Sequence, residues 1–314
     1  MRHLLKKLKL RKKIVRKLIR ALLIIFLAVN CLGYIGAYFL THFKVPGQFG
    51  LGLSRPTSSR IPTNIELRYQ TKRIPINQTE WLEIWSIPVA QSTSKGTILL
   101  FTGNGGSKAK QLLAPAQVFH SLGYDTLLVD FRGVGGSSGN TTTIGLREAQ
   151  DVILSMNYAQ SSHLQRPFIL YGVSMGATAI LKAVAQENIS SDAIILELPF
   201  ARLLDAVRSR IRAISGPTFP LAEAVTFWGG FQHGFNGFAH NPVNYASQIK
   251  CPTLVLHGKL DQWTTLAEID RIFANLEGFK QLGIFPHAGH DLLVTNDPQR
   301  WRQEIEKFLI QVKS

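Results

Sequence analysis

Cysteine is nearly absent from this chain, which has two among 314 residues, Cys31 and Cys251. The first falls in an apolar N-terminal run and the second just before a strand-like one, so no disulfide is expected to staple the fold. No His/Cys group has metal-ligand spacing. Neither a Gly-Lys-Ser/Thr phosphate loop nor a complete Gly-x-Gly-x-x-Gly is present. The chemistry is therefore expected to use side chains and backbone amides alone, with no metal and no other cofactor. Internal repeats and low-complexity stretches are missing too, which leaves one continuous domain as the simplest reading of the C-terminal 250 or so residues.

Charge is missing in two places. Residues 1–20 hold ten Lys or Arg and no acidic residue, and they supply most of the net charge of +15. Residues 21–43 hold no Asp, Glu, Lys or Arg. At the helical rise of about 1.5 Å per residue this stretch reaches about 34 Å, enough for a hydrocarbon core of about 30 Å. Residues 1–20 thus read as a basic cytoplasmic segment and 21–43 as a single transmembrane signal anchor, with a cleaved signal peptide, whose apolar core is normally shorter, as the alternative. The positive-inside tendency then puts the N-terminus in the cytoplasm and the rest of the chain on the non-cytoplasmic side. A nucleic-acid partner is not expected, because a basic run against a membrane-length apolar segment is explained by topology and anionic headgroups. Residues 44–60, with Pro46, Gly47, Gly50, Gly52 and Pro56, read as a linker holding the remainder, 61–314, off the membrane.

Within that remainder, apolar runs alternate with helix-length stretches from Ile98 to Phe308, the pattern of a largely parallel sheet covered on both faces. Asn64–Tyr69 and Trp81–Ile87 are expected as leading antiparallel strands. Leu113–Leu122, Gly145–Ala159, Thr178–Gln186, Ala267–Leu276 and Gln299–Val312 are expected as helices.

The run Phe168–Tyr171 is followed by Gly172-Val173-Ser174-Met175-Gly176 and then by the helix former Ala177–Ala185. A serine between two glycines at a strand-to-helix turn is the context of a nucleophile elbow, since Gly172 and Gly176 let strand and helix nearly touch while Ser174 projects its hydroxyl. A serine needs a base and an acid to orient that base. Asp261 follows the strand-like Pro252–Gly258 and is assigned as the acid. His290 follows Gln281–Phe285 and is assigned as the base. His287 is a rival base that reads better as a loop histidine, and His257, at a strand end, reads as structural. The loop Thr102–Ser107 after the strand Thr97–Phe101 offers an oxyanion hole, with the backbone amide of Asn104 paired with that of Met175.

Taken together, these segments resemble the α/β-hydrolase superfamily over about residues 61–312, and within it the Bem46-like and serine aminopeptidase-type groups. The resemblance implies an α/β fold with a mostly parallel eight-stranded sheet and helices on both faces. It also implies that Asp130-Phe131-Arg132-Gly133, which is similar to the family's turn after its fourth strand, is architectural. Thr102-Gly103 stands where the family usually carries His-Gly. Residues 199–246 lie where family members insert a lid. Phe219, Phe227, Trp228, Phe231, Phe235 and Phe238 there fit either an apolar cover over an acyl group or ordinary packing on the sheet edge. The expected activity is hydrolysis of a small or lipid-like ester, thioester or amide. An acyltransferase, or a membrane-tethered protein that only binds, is the alternative.

Overall fold

In the computed structural model the described residues are 2–44, 51–56, 67–90, 93–186 and 189–312. Among them, eight strands make one sheet: β1 (Gln70–Pro75), β2 (Trp81–Ile87), β3 (Thr97–Phe101), β4 (Asp125–Val129), β5 (Phe168–Val173), β6 (Ala193–Glu197), β7 (Thr253–Gly258) and β8 (Lys280–Phe285). Their spatial order is β1-β2-β4-β3-β5-β6-β7-β8. The first two pair antiparallel with their neighbours and the rest run parallel. The α-helices among the described residues are α1 (Arg2–Thr41), α2 (Leu113–Ser121), α3 (Glu148–Ser161), α4 (Met175–Gln186), α5 (Leu203–Ala213), α6 (Leu221–His233), α7 (Pro242–Tyr245), α8 (Leu266–Asn275), α9 (Leu293–Asn296) and α10 (Pro298–Val312).

The central strands are apolar at nearly every position because both faces are covered. Along β5 the pleat sends Phe168 and Leu170 into one buried cluster and Ile169, Tyr171 and Val173 into the other, so the sheet separates two cores. The chain winds outward from β3 in both directions, which makes the C-terminal ends of the parallel strands the natural place for a site.

The leading strand differs from expectation. Residues 64–66 lie outside the described residues, Leu67–Tyr69 carry no strand, and β1 begins at Gln70. As an edge strand it buries only Ile74, so no alternation of apolar and polar residues marks it in the sequence.

The N-terminus differs more. The basic segment and the charge-free segment form one uninterrupted helix, α1, so the boundary at residue 20 is one of composition and not of backbone. Of the expected linker, residues 45–50 and 57–60 lie outside the described residues. The described part is no free spacer, because the end of α1 is bonded straight onto the folded body. Phe43 N donates to Asn140 O at 2.7 Å and Thr142 N to Thr41 O at 2.9 Å, while Lys44 N donates to Leu53 O at 2.8 Å. A third buried cluster, away from the sheet, joins Ala37 of α1 to Leu203, Val207 and Ile211 of α5 and to Ala222 and Val225 of α6.

Candidate active site

Ser174 occupies the turn between β5 and α4 with φ of 51°, a left-handed value that a side chain adopts only under local constraint. The glycines around it are required by contact. A Cβ on Gly172 would lie 2.5 Å from the Gly176 carbonyl carbon, and one on Gly176 would lie 2.6 Å from Phe101 O on β3. Ser174 N donates to Glu197 O at 2.7 Å, which ties the turn to the end of β6.

Asp261 follows β7 and His290 follows β8, so adjacent parallel strands deliver both to the same rim as Ser174. His290 Nε2 lies 3.1 Å from Ser174 Oγ, and Nδ1 lies 2.7 Å from Asp261 Oδ2. A carboxylate can only accept, so Nδ1 carries the proton of that bond and Nε2 is left to accept from the serine. Asp261 Oδ1 takes two backbone amides, Trp263 N at 2.7 Å and Thr264 N at 3.0 Å. Burial works against its charge, yet the bond from His290 and these amides outweigh burial and hold its carboxyl below the usual range. Gly258 at the end of β7 has room for nothing larger, since a Cβ would meet Gly289 O at 2.3 Å, and this close approach seats the histidine loop.

The rival histidines are elsewhere. His287 is exposed. His257 is fully buried, with Nδ1 3.9 Å from Asp261 Oδ2, beyond hydrogen-bond distance, and burial depresses its basicity.

Asn104 shares a cavity with Ser174 and His290, and Met175 opens α4 directly after the serine. A Cβ on Gly103 would stand 3.4 Å from Ser174 Cβ, so this loop runs against Ser174. The support for the loop comes from Gln111, whose Oε1 accepts from Gly103 N at 2.8 Å and fills the space beside Gly106. Behind the loop, the fully buried ammonium of Lys108 pairs with Asp130 and, at 2.8 Å, with Glu83. Asp130 also accepts the amides of Lys108 at 2.8 Å and Gly136 at 3.1 Å, and Arg132 pairs with Asp151 at 2.7 Å. These bonds hold two loops together and take no part at the serine.

Sequence reading missed Glu197 and Arg210. Glu197 is fully buried at the end of β6. Its side chain accepts from Tyr171 Oη at 2.9 Å, Trp301 Nε1 at 2.8 Å and Leu293 N at 2.9 Å. It therefore braces the elbow through its carbonyl and the segment after His290 through its carboxyl. Burial pushes its pKa up against those three bonds. Nothing in a strand-like Ala193-Ile194-Ile195-Leu196-Glu197 marks that role. Arg210 of α5 lines the cavity that holds Ser174 and His290, with its guanidinium 4.8 Å from the Trp263 ring.

The profile of the family described as "Serine aminopeptidase, S33" matches residues 92–225. The chain is 29% identical over 195 residues to YqkD of Bacillus subtilis, covering 61% of this chain and 64% of the relative. It is 26% identical over 179 residues to lysophosphatidylserine lipase ABHD12 of Danio rerio, covering 54% and 44%. The match thus spans less than two thirds of either relative. Among solved structures, the Pyrococcus furiosus esterase Pf2001 superposes with a TM-score of 0.68 at 20% identity, over 82% of this chain and 96% of the esterase. Est1E from Butyrivibrio proteoclasticus gives 0.60 at 14%, over 77% and 98%. Strand order and these structural likenesses give the chain the α/β-hydrolase fold, preceded by an N-terminal apolar helix, and its sequence is similar to serine aminopeptidase-type and lipase proteins.

Proposed function

We propose that this protein is a membrane-anchored serine hydrolase that cleaves an ester or thioester, and an amide less readily, through an acyl-enzyme. Ser174 Oγ attacks the acyl carbonyl while His290 Nε2 takes its proton, and Asp261 keeps the ring in the required tautomer and stabilises the imidazolium. The amides of Asn104 and Met175 receive the oxyanion. His290 then returns the proton to the leaving oxygen or sulfur, and water repeats the attack to free the acid. The observation that supports this reading is the continuous hydrogen-bonded chain from Ser174 through His290 to Asp261 at the ends of three parallel strands. The esterase and lipase names among the similar proteins favour an ester over an amide.

The anchor in this reading is α1, whose stretch Leu10–Thr41 is long and apolar enough to cross a bilayer. Its basic end lies in the cytoplasm and the hydrolase on the other side. The test is labelling with a fluorophosphonate probe together with turnover of p-nitrophenyl esters. Wild type is labelled and active, and Ser174→Ala is neither. Undiminished turnover in Ser174→Ala rejects the assignment.

A further inference from the structure

The strip of α1 that meets the hydrolase is made of small residues. Gly33, Gly36 and Ala37 lie three and four positions apart on one helix face, the spacing that lets two membrane helices approach closely. Their partner is α6. A Cβ on Gly33 would stand 2.6 Å from Ala224 Cβ, and one on Gly229 only 3.8 Å from Ala37 Cβ. Polar and ring contacts add to this: Trp228 Nε1 donates to Asn30 Oδ1 at 3.1 Å, Gln232 Nε2 to Tyr34 O at 3.0 Å, and the Tyr34 and Trp228 rings meet edge to face at 5.5 Å.

Between these helices runs a narrow, strongly apolar cleft. One wall is Ala37, Leu40 and Thr41 of α1, and the other is Leu203, Val207 and Val225 of the lid helices. Asn104 and Arg210 line this cleft and also the cavity that holds Ser174 and His290, so the two spaces meet at those residues. A chain bound in the cleft would end beside the serine.

Depth in the bilayer follows from length. Nine residues of the charge-free segment, Ala21–Val29, precede the stretch that meets α6 at Asn30 and reach about 14 Å, well short of a hydrocarbon core of about 30 Å. The remainder of the crossing is the docked stretch itself, which carries α6 into the leaflet on the hydrolase side. The outward side of the lid suits that position, with Ile214, Phe219, Phe227 and Phe231 all at least half exposed to the surroundings.

We infer that the cleft receives the acyl chain of a membrane lipid ester, with the anchoring helix as one wall, and that substrate enters sideways from the leaflet in which the lid is immersed. This rests on Ser174 being the nucleophile. A simple tether could be exchanged for any other, whereas here the helix that anchors the enzyme also measures its substrate.

The experiment uses full-length protein in nanodiscs and p-nitrophenyl esters from acetate to palmitate. Ala37→Phe fills the cleft, and the palmitate-to-acetate ratio of kcat/KM is expected to fall at least tenfold. Leu40→Ala, which creates space and no clash, is expected to move the preferred chain two or more carbons longer. Leu23→Phe, on the part of α1 clear of the lid, is expected to keep the wild-type ratio. A wild-type chain-length profile in Ala37→Phe or Leu40→Ala, with Ser174 still labelled by fluorophosphonate, overturns the inference alone. Wild type that neither hydrolyses an ester nor labels overturns the proposed function, and this inference with it.

Discussion

The rim of the sheet and the face between α1 and the lid are assembled on different physical terms. At the rim, side chains 116 positions apart are set to within hydrogen-bond distance by strand ends, each held by backbone contacts that admit only glycine nearby. At the anchor face a separate cluster of Ala, Val, Leu and Ile meets small residues of one helix, with two polar bonds beyond the van der Waals contact. The first arrangement is directional and fails when one atom is removed. The second is nearly isotropic and changes by degrees when volume is added or taken away. The difference suits them to the different work proposed for them, bond chemistry at the rim and selection of the acyl chain at the anchor face.

The comparison breaks most sharply at the rim. Ser174→Ala and His290→Ala should each lower kcat on p-nitrophenyl acetate by about 10⁴ to 10⁶, since members of such a triad act as a unit. Asp261→Asn should lower it by about 10⁴, the cost of the wrong imidazole tautomer. Circular dichroism should report an intact fold in all three. Glu197→Gln turns an acceptor of three donors into a group that donates back at them, and it is expected to lower stability by about 1–3 kcal/mol. Because Glu197 positions and does not touch substrate, its loss should lower kcat about tenfold with KM little changed, read from steady-state kinetics. A loss confined to KM would mean that it contacts substrate instead.

Smaller effects belong to the anchor face. Gly33→Leu places atoms where Ala224 already is, and overpacking of this kind costs about 1–3 kcal/mol. It should appear as a lower thermal midpoint in nanodiscs, with fluorophosphonate labelling retained. The smallest effect sharpens the electrostatics of the rim. A carboxyl held below its usual range stabilises the folded state above the unfolded pKa of about 4 and loses that contribution as pH falls through the folded value. The stability difference between wild type and Asp261→Asn should therefore shrink as pH falls below about 4, as measured by urea unfolding across pH.

Much of the rim is legible in the sequence because its signals are local. A serine between glycines after a strand, a histidine and an aspartate each just past later strands, and a glycine loop after β3 are short patterns with mechanical reasons. Their order along the chain matches the order of strand ends. The supports are not legible. Gln111 props the loop after β3 from eight residues away, and Glu197 braces two loops from the end of an apolar strand, roles that depend on partners distant in sequence. Edge strand β1 starts later than its expected position because Gln70–Pro75 buries one side chain and carries no period.

The alternation of strands and helices, the charge-free run of membrane length and the three side chains that meet at the rim, Ser174, Asp261 and His290, are all written in composition or in spacing over a few residues, and could be read before any fold was known. That residues 33–41 pack against α5 and α6 came only from three dimensions. Hydrophobic patterning says that a face will be buried but not against what, and here the partner lies about two hundred residues further along the chain.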